Sequence, residues 1–239
     1  MNQTQKNILD ILAKKAIDLD WHIAFGGKSK GNRHLFRVNK IATVLQRKEG
    51  GDKFIVLSAA WTHDVALAFG DDNNLQEIYK HTFNFLVKNG VGPSSQLIAE
   101  AAAGHEESMS SSIEAKIVHD ADVLDKSGVL GIIRHIWKMS NLIEDRIVNS
   151  ESDLILLRES LEKRQKKLFT ATGRKLFKDI EQDQLAFFEK QNALEMMSSI
   201  SLQARKGIIS DHIAQQIILE FPKSKIAQSL QTQLQCTYL

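Results

Sequence analysis

The chain has 239 residues, of which 43% are hydrophobic and 25% are charged, as in an ordinary globular protein. Its formal net charge of +2 is too small to indicate a nucleic-acid partner by charge alone. One cysteine excludes an internal disulfide, and no apolar run suits a membrane helix or a signal peptide, so we expect a cytoplasmic protein without a membrane partner.

Helical patterns follow one another along the whole chain. Only two prolines interrupt it, and apolar residues recur at helical spacing without convincing strand alternation. The predicted helical segments are 8–17, 35–45, 54–67, 75–87, 94–104, 113–124, 130–142, 154–169, 173–197 and 208–221. The sequence therefore predicts an all-α protein with one domain over 1–239, in which C-terminal helices at about 150–239 pack on a core at about 20–145.

Three stretches rich in glycine, serine or short polar residues separate some of these segments. They span 26–31, 70–74 and 108–112. Their composition is typical of flexible connections. The first stretch contains a Gly-Lys-Ser sequence at 27–29 that is similar to the end of a phosphate-binding loop. That motif requires an earlier glycine where the chain has His22, and a preceding strand, so we do not assign it.

Four side chains are candidate metal ligands: His34, the adjacent pair His63 and Asp64, and Asp122. Two imidazoles and two carboxylates form a mixed nitrogen and oxygen set, which is typical of sites for Mn²⁺, Fe, Co²⁺, Ni²⁺ or Mg²⁺. A His-Asp pair often arises by chance, so His63 and Asp64 gain weight only from their apolar surroundings. Because a buried, unpaired carboxylate is costly, the pair either binds a cation or belongs to a satisfied polar network.

The segment 112–131, which contains Asp122, resembles the corresponding segment of a bacterial subfamily of the HD superfamily of metal-dependent phosphohydrolases. Further similar pieces occur in the same order, at 34–38, at 101–105, and at 169–176 followed by two phenylalanines. The resemblance covers roughly residues 30–190. It implies an HD-domain helical bundle with a C-terminal helical extension, in which the four candidates above bind a divalent metal.

The resemblance also assigns roles within the Asp120-Ala121-Asp122 sequence. The metal aspartate of the superfamily is usually followed by two residues and then an acidic or polar one, as Asp122 is followed by Asp125. Asp122 is therefore the implied ligand, and Asp120 is expected to orient a ligand histidine or a water. The reversed assignment is the alternative.

Other candidate groups surround this implied centre. Asp64 is a ligand that could also accept a proton from a metal-bound water, and Arg37 and Lys126 could neutralise charge on a phosphate. Arg37 is one helical turn beyond His34 and shares its helix face. For both basic residues the alternative is solvation at the surface.

Two further histidines could bind a second metal or the substrate. They are His81 and His105, and the alternative is that they are polar residues of helix surfaces. The loops at 26–31 and 70–77 depart from the subfamily pattern, with Lys30-Gly31 where many members carry another His-Asp pair. These departures place the substrate contacts in doubt more than the metal ligands.

The implied activity is hydrolysis of a phosphate ester or anhydride of a small phosphorylated metabolite, with a nucleotide as the expected substrate. A metal-bound water would attack the phosphorus. Mn²⁺ is the expected metal, and Mg²⁺, Fe, Co²⁺ and Ni²⁺ are alternatives. The alternative functions are a catalytically altered HD metal-binding module used in binding or signalling, and an HD-type di-iron oxygenase. The oxygenase would require a second metal shell.

Overall fold

A computed structural model of the chain describes residues 1–70, 74–106 and 112–239, apart from the side chain of Arg164. Its long helices are α1 (Gln3–His22), α2 (His34–Glu49), α3 (Lys53–Thr62), α4 (Leu75–Lys88), α5 (Ser95–Gly104), α6 (Ile113–Asp125), α7 (Gly128–Lys138), α8 (Glu151–Gln165), α9 (Ala171–Phe188), α10 (Ala193–Arg205), α11 (Ser210–Glu220) and α12 (Lys225–Gln235). These described ranges contain no strand, which confirms the predicted all-α fold.

Short helical turns connect some of the long helices. They are the 3₁₀ helices Ala24–Gly27, Val65–Phe69 and Gly92–Ser94, and the π-helix Met139–Ile143. No helix in the described part of the chain is both long enough and apolar enough to cross a membrane. Of the predicted loops, residues 71–73 and 108–111 lie outside the described residues.

Two helix predictions differ from the structure, and one helix was not predicted. The segment predicted at 54–67 leaves the α-conformation at Asp64, whose φ of −95° and ψ of 8° start the 3₁₀ helix Val65–Phe69. The segment predicted at 173–197 is divided between α9 and α10, because the polar residues 189–192 between them provide no apolar face. Helix α12 was missed because its sequence is mostly polar, although Ser224 caps its start by accepting a hydrogen bond from the Ala227 N–H.

The chain divides into two compact units. The first unit consists of residues 1–122 and 168–173, and the second consists of residues 123–167 and 174–239. The first boundary along the chain therefore falls within α6. The single domain expected over 1–239 stays a prediction.

In the first unit, α2 buries one apolar stripe, whereas α3 is buried on nearly all sides. The predicted stripe of α2 lies in the core, since Val38, Ile41 and Leu45 have no exposed surface. Helix α3 begins at the cap Asp52, whose carboxylate accepts hydrogen bonds from two N–H groups of the first turn. It is apolar on nearly all sides and mostly buried, as expected for a helix in the middle of a core. This burial fixes the end of α3, where His63 and Asp64 follow.

In the second unit, α7 supplies the centre of a separate core. Its residues Ile132, Ile133 and Ile136 are completely buried and belong to one cluster with Phe187 of α9. Each such side chain stabilises the fold by about 1.5–3 kcal/mol relative to an exposed position.

Candidate metal centre

His34 lies at the first position of α2 and points into a group of carboxylates. The Asn32 side-chain oxygen accepts a hydrogen bond of 3.0 Å from the His34 N–H, which fixes the start of the helix. The His34 Nε2 atom lies 3.3 Å from Asp64 Oδ2 and 3.2 Å from Asp122 Oδ1. The residue is only 3% exposed, so these contacts are shielded from solvent.

His63 approaches the same carboxylates from the end of α3. Its Nδ1 lies 3.0 Å from the Ala60 carbonyl oxygen. Because a carbonyl oxygen can only accept, we assign a proton to Nδ1, and the neutral ring then has a lone pair on Nε2. This Nε2 lies 3.4 Å from Asp64 Oδ1 and 3.5 Å from Asp122 Oδ1.

The structure therefore brings all four predicted ligands together, although they are up to 88 residues apart in the sequence. The imidazole rings of His34 and His63 are 5.3 Å apart and nearly perpendicular. One potential ligand atom each from His34, His63 and Asp122 lies within 4.8 Å of the others. Three separate segments, at the start of α2, the end of α3 and in α6, thus converge on one point.

The donor set fits a divalent cation. A neutral His63 would direct its Nε2 lone pair toward two carboxylate oxygens, which repel it, and the buried Nε2 has no hydrogen-bond partner within the described residues. Such an unsatisfied buried group costs about 1–3 kcal/mol. Ligands at about 2.1 Å from one ion, separated by octahedral or tetrahedral angles, lie about 3.0–3.4 Å from each other. The observed separations of 3.2–3.5 Å are close to this spacing.

His105 lies directly beside this group. Its ring packs edge-on against His63 at 4.9 Å, its Nδ1 faces the Ala102 carbonyl, and its Nε2 is 3.2 Å from Glu106 Oε1, although the alignment falls short of a hydrogen bond. Burial opposes charging of the ring, but the Glu106 and Asp122 carboxylates outweigh it and raise the pKa of His105. His63, Asp64 and His105 form a second set with ligand atoms within 4.8 Å of one another.

His81 has a different environment. Its ring stacks on Phe69 at 4.2 Å, and its Nε2 lies 3.7 Å from Glu77 Oε2. Within the described residues it belongs to neither of the histidine and aspartate sets around His63. The structure thus places one of the two additional histidines, His105, beside the centre.

Asp120 has partners that the sequence did not indicate. Its carboxylate accepts hydrogen bonds from the Phe169 N–H, the Thr170 N–H and the Thr170 hydroxyl, at 2.8, 2.7 and 2.6 Å. Burial raises the pKa of Asp120, while these hydrogen bonds oppose the shift. Through these contacts Asp120 anchors the segment 168–173, and the expected orientation of a ligand histidine or a water by Asp120 stays a prediction.

The two basic candidates differ in position. Arg37 is only 4% exposed, so surface solvation does not describe it. Lys126 is half-buried and belongs to the second unit, and its role at the centre stays a prediction.

A cavity of about 520 Å³ lies elsewhere in the first unit, lined by residues of α3, α4, α5 and α6. Its wall includes Gly104, the neighbour of His105, but none of the four predicted metal ligands.

Comparisons with known proteins agree with this geometry. Residues 32–127 match the model of the HD domain family. The crystal structure of Bacillus subtilis YpgQ is similar to this chain, with a TM-score of 0.62 and 22% identity. The similarity covers 83% of this chain and 100% of the YpgQ chain. YpgQ in complex with ADP is similar to 80% of this chain over 96% of its own, with a TM-score of 0.60 and 23% identity. At such identities the likeness shows the fold alone. No curated protein matches the sequence.

Proposed function

We propose that the protein is a metal-dependent phosphohydrolase, from the premise that residues 32–127 match the model of the HD domain family. The observation that carries the proposal is the convergence of His34, His63, Asp64 and Asp122, in which the Nε2 atoms of both histidines lie 3.2–3.5 Å from carboxylate oxygens. A site built from these four ligands leaves positions open for water and for a phosphoryl oxygen, which catalysis requires.

Individual side chains have separate roles in the proposed hydrolysis. A bound divalent ion would act as a Lewis acid and lower the pKa of a coordinated water. The Ala60 carbonyl holds the proton of His63 on Nδ1 and so keeps Nε2 available as a ligand. Asp64, with its side chain 15% exposed, is the ligand that both meets solvent and can accept a proton.

We propose a nucleotide as the substrate and Mn²⁺ as the first metal to test. The nucleotide is suggested by the structurally similar YpgQ, which was crystallised in complex with ADP. A mixed imidazole and carboxylate set also accommodates Mg²⁺, Fe, Co²⁺ or Ni²⁺, so these ions belong in the same test.

A metal-binding module without catalysis is the second candidate. It is favoured by the departure of the loops at 26–31 and 70–77 from the subfamily pattern. The oxygenase alternative has less support, because His105 but not His81 lies in a set with His63.

Turnover and metal analysis together separate these functions. Protein purified without chelator is assayed for bound metal, then for release of phosphate or pyrophosphate from nucleotides and phosphomonoesters. We expect metal-dependent hydrolysis by the wild type and by Asp179→Ala, an exposed aspartate of α9, and none by Asp64→Ala. Fully metallated protein that hydrolyses nothing in the panel would contradict the enzyme and favour the binding module.

A further inference from the structure

The segment 168–173 is joined to α6 by a dense set of hydrogen bonds around Thr170. The Thr170 hydroxyl donates to Asp120 Oδ2 at 2.6 Å and accepts from the Gly173 N–H at 2.9 Å, so that it also caps the start of α9. The hydroxyl therefore both donates and accepts a hydrogen bond. Thr170 and Asp120 are 3% and 0% exposed. The contact is therefore a built feature of the first unit.

Gly173 makes the close approach to Asp120 possible. A Cβ atom at this position would lie 2.4 Å from Asp120 Oδ2 and 2.8 Å from Thr170 Oγ1, which is closer than atoms can pack. The neighbouring Thr172 N–H donates to Glu49 Oε1 at 2.6 Å. The segment is thus held by carboxylates of both α6 and α2.

The anchored segment places Phe169 against His119. The two rings are 4.8 Å apart. The Nδ1 atom of His119 faces the His105 carbonyl oxygen at 2.5 Å and must donate to it, since that oxygen only accepts. The His119 Nε2 is buried without a hydrogen bond within the described residues. The His119 ring is therefore oriented by Phe169 on one side and by His105 on the other.

His105 connects the oriented His119 ring to the candidate metal centre. Its carbonyl is fixed by His119, its Nδ1 faces the Ala102 carbonyl, and its ring packs on His63 at 4.9 Å. A displacement of the His105 backbone would move its ring relative to His63. A continuous path of contacts thus leads from Thr170 to a predicted metal ligand.

We propose that Thr170 is a positioning residue of the candidate metal centre, which acts through Asp120, Phe169 and His119 on the orientation of His105. The inference rests on the proposed function, because a role for His105 requires a metal and a substrate to bind beside its ring. Within the described residues, the hydrogen bonds of Thr170 lead to Asp120 and Gly173 and to none of the predicted metal ligands.

Matched valine variants test the proposal. Thr170→Val keeps the shape of the side chain but removes its hydroxyl, and Thr170→Ser keeps the hydroxyl. Thr172→Val is the control, because the Thr172 hydroxyl makes no hydrogen bond within the described part of the chain. For each variant, bound metal, kcat and KM are measured with Mn²⁺, and histidine-labelled protein with Mg²⁺ is examined by ¹⁵N NMR.

We expect Thr170→Val to shift the ring signals of His119 and His105 and to lower kcat about tenfold, as loss of an outer partner of a metal site does. Metal content and KM should stay unchanged, and Thr170→Ser should restore both the signals and kcat. Unshifted His105 signals, or equal shifts in Thr172→Val, would overturn the proposal. Absence of turnover in metal-loaded wild type would overturn the proposed function alone, since the NMR comparison does not depend on it.

A second variant covers the case in which Thr170→Val does not fold. Phe169→Leu removes the ring over His119 but retains the backbone hydrogen bonds to Asp120. Loss of the Phe169 ring alone shifts the His119 signals, so the test is His105, whose signals should also shift. If Phe169→Leu leaves the His105 signals at their wild-type positions, the path from the segment to His105 is refuted.

Discussion

Buried polar groups serve different purposes around the start of α7 in the second unit and at the candidate metal centre of the first unit. In the second unit, donors meet acceptors around the start of α7. Gln184 Oε1 accepts from the Gly128 N–H at 2.9 Å, and Gln233 Oε1 accepts from the Leu130 N–H at 3.0 Å. The Gln233 amide also donates to the Ser127 carbonyl at 3.0 Å. These contacts satisfy N–H groups that the first turn of any helix leaves without partners.

At the candidate metal centre of the first unit, a ring nitrogen that can accept a hydrogen bond faces carboxylate oxygens, which also accept. His63 Nε2 faces oxygens of Asp64 and Asp122 at 3.4 and 3.5 Å, with its own proton engaged on the far side of the ring. Satisfied buried networks stabilise a fold, whereas facing lone pairs require a proton or a metal between them. The comparison shows how structural and functional sites differ. Buried donors face acceptors at the structural site, whereas acceptors face acceptors at the candidate metal centre, and the number of buried polar groups matters less.

The largest expected effect is loss of the metal from the first unit. His63→Ala with Asp64→Ala removes two of four ligands, so bound metal and metal-dependent turnover should both fall to background. His212→Ala with Asp179→Ala removes the same residue types from exposed positions of the second unit and should change neither. Elemental analysis and the phosphate-release assay measure both. Full metal content in the first double variant would refute the ligand assignment.

The next effect is stabilisation by metal, which sharpens the same comparison. A ligand at 100 times its Kd stabilises the native state by about 2.7 kcal/mol. The chelated wild type should therefore gain about this free energy of unfolding when Mn²⁺ is added at that ratio. The double variant at His63 and Asp64 should gain none. Equal gains in both proteins, seen by chemical denaturation, would place the stabilising metal elsewhere.

A third effect tests whether the paired network of the second unit is only structural. Gln233→Ala leaves the Leu130 N–H buried without its partner and removes one of the two donors to the Ser127 carbonyl, which should lower the free energy of unfolding by about 1–3 kcal/mol. Metal content should not change. Gln231→Ala, an exposed glutamine of the same helix, is the control and should have little effect. A loss of bound metal in Gln233→Ala would break the proposed division between the units.

Much of the fold was predictable because it depends on local patterns. The apolar stripe of α2 and the scarcity of proline predicted helices that the structure contains. Helix α12 was not predicted, since its buried face is short and its remaining residues are polar. The boundary at Asp122 also could not be predicted, because it depends on which distant residues pack together.

The candidate site was predictable where a family pattern fixed the residues. His34, His63, Asp64 and Asp122 were identified from the sequence, and the structure brings them together. The partner of Asp120 was not predicted, because Thr170 is 50 residues away and nothing in the local sequence indicates the contact. The only available signal was the similarity of 169–176 to the same subfamily, which gave no role for the segment.

The smallest expected effect concerns Asp153, a buried carboxylate of the second unit that is paired like the glutamines. Arg146 forms two hydrogen bonds with it, and the Asn149 and Ser150 N–H groups donate to it at 3.0 and 3.1 Å. The hydrogen bonds from Arg146, followed by those from Ser150 and Asn149, hold the pKa of Asp153 well below its usual 3.8 despite burial.

A carboxyl group with a lowered folded-state pKa stabilises the fold above its unfolded-state pKa, and this contribution is lost as the pH falls through the folded-state value. Asp153→Asn should therefore be less stable than the wild type by about 1 kcal/mol at pH 6, the usual net contribution of a hydrogen bond. The difference should persist down to about pH 4 and shrink below it. Urea unfolding of both proteins at pH 6 and pH 3 measures this, with Asp179→Asn as the exposed control. A difference that grows on acidification would show that the Asp153 carboxylate is not held by its partners, and the contrast between the two units would then fail at this residue.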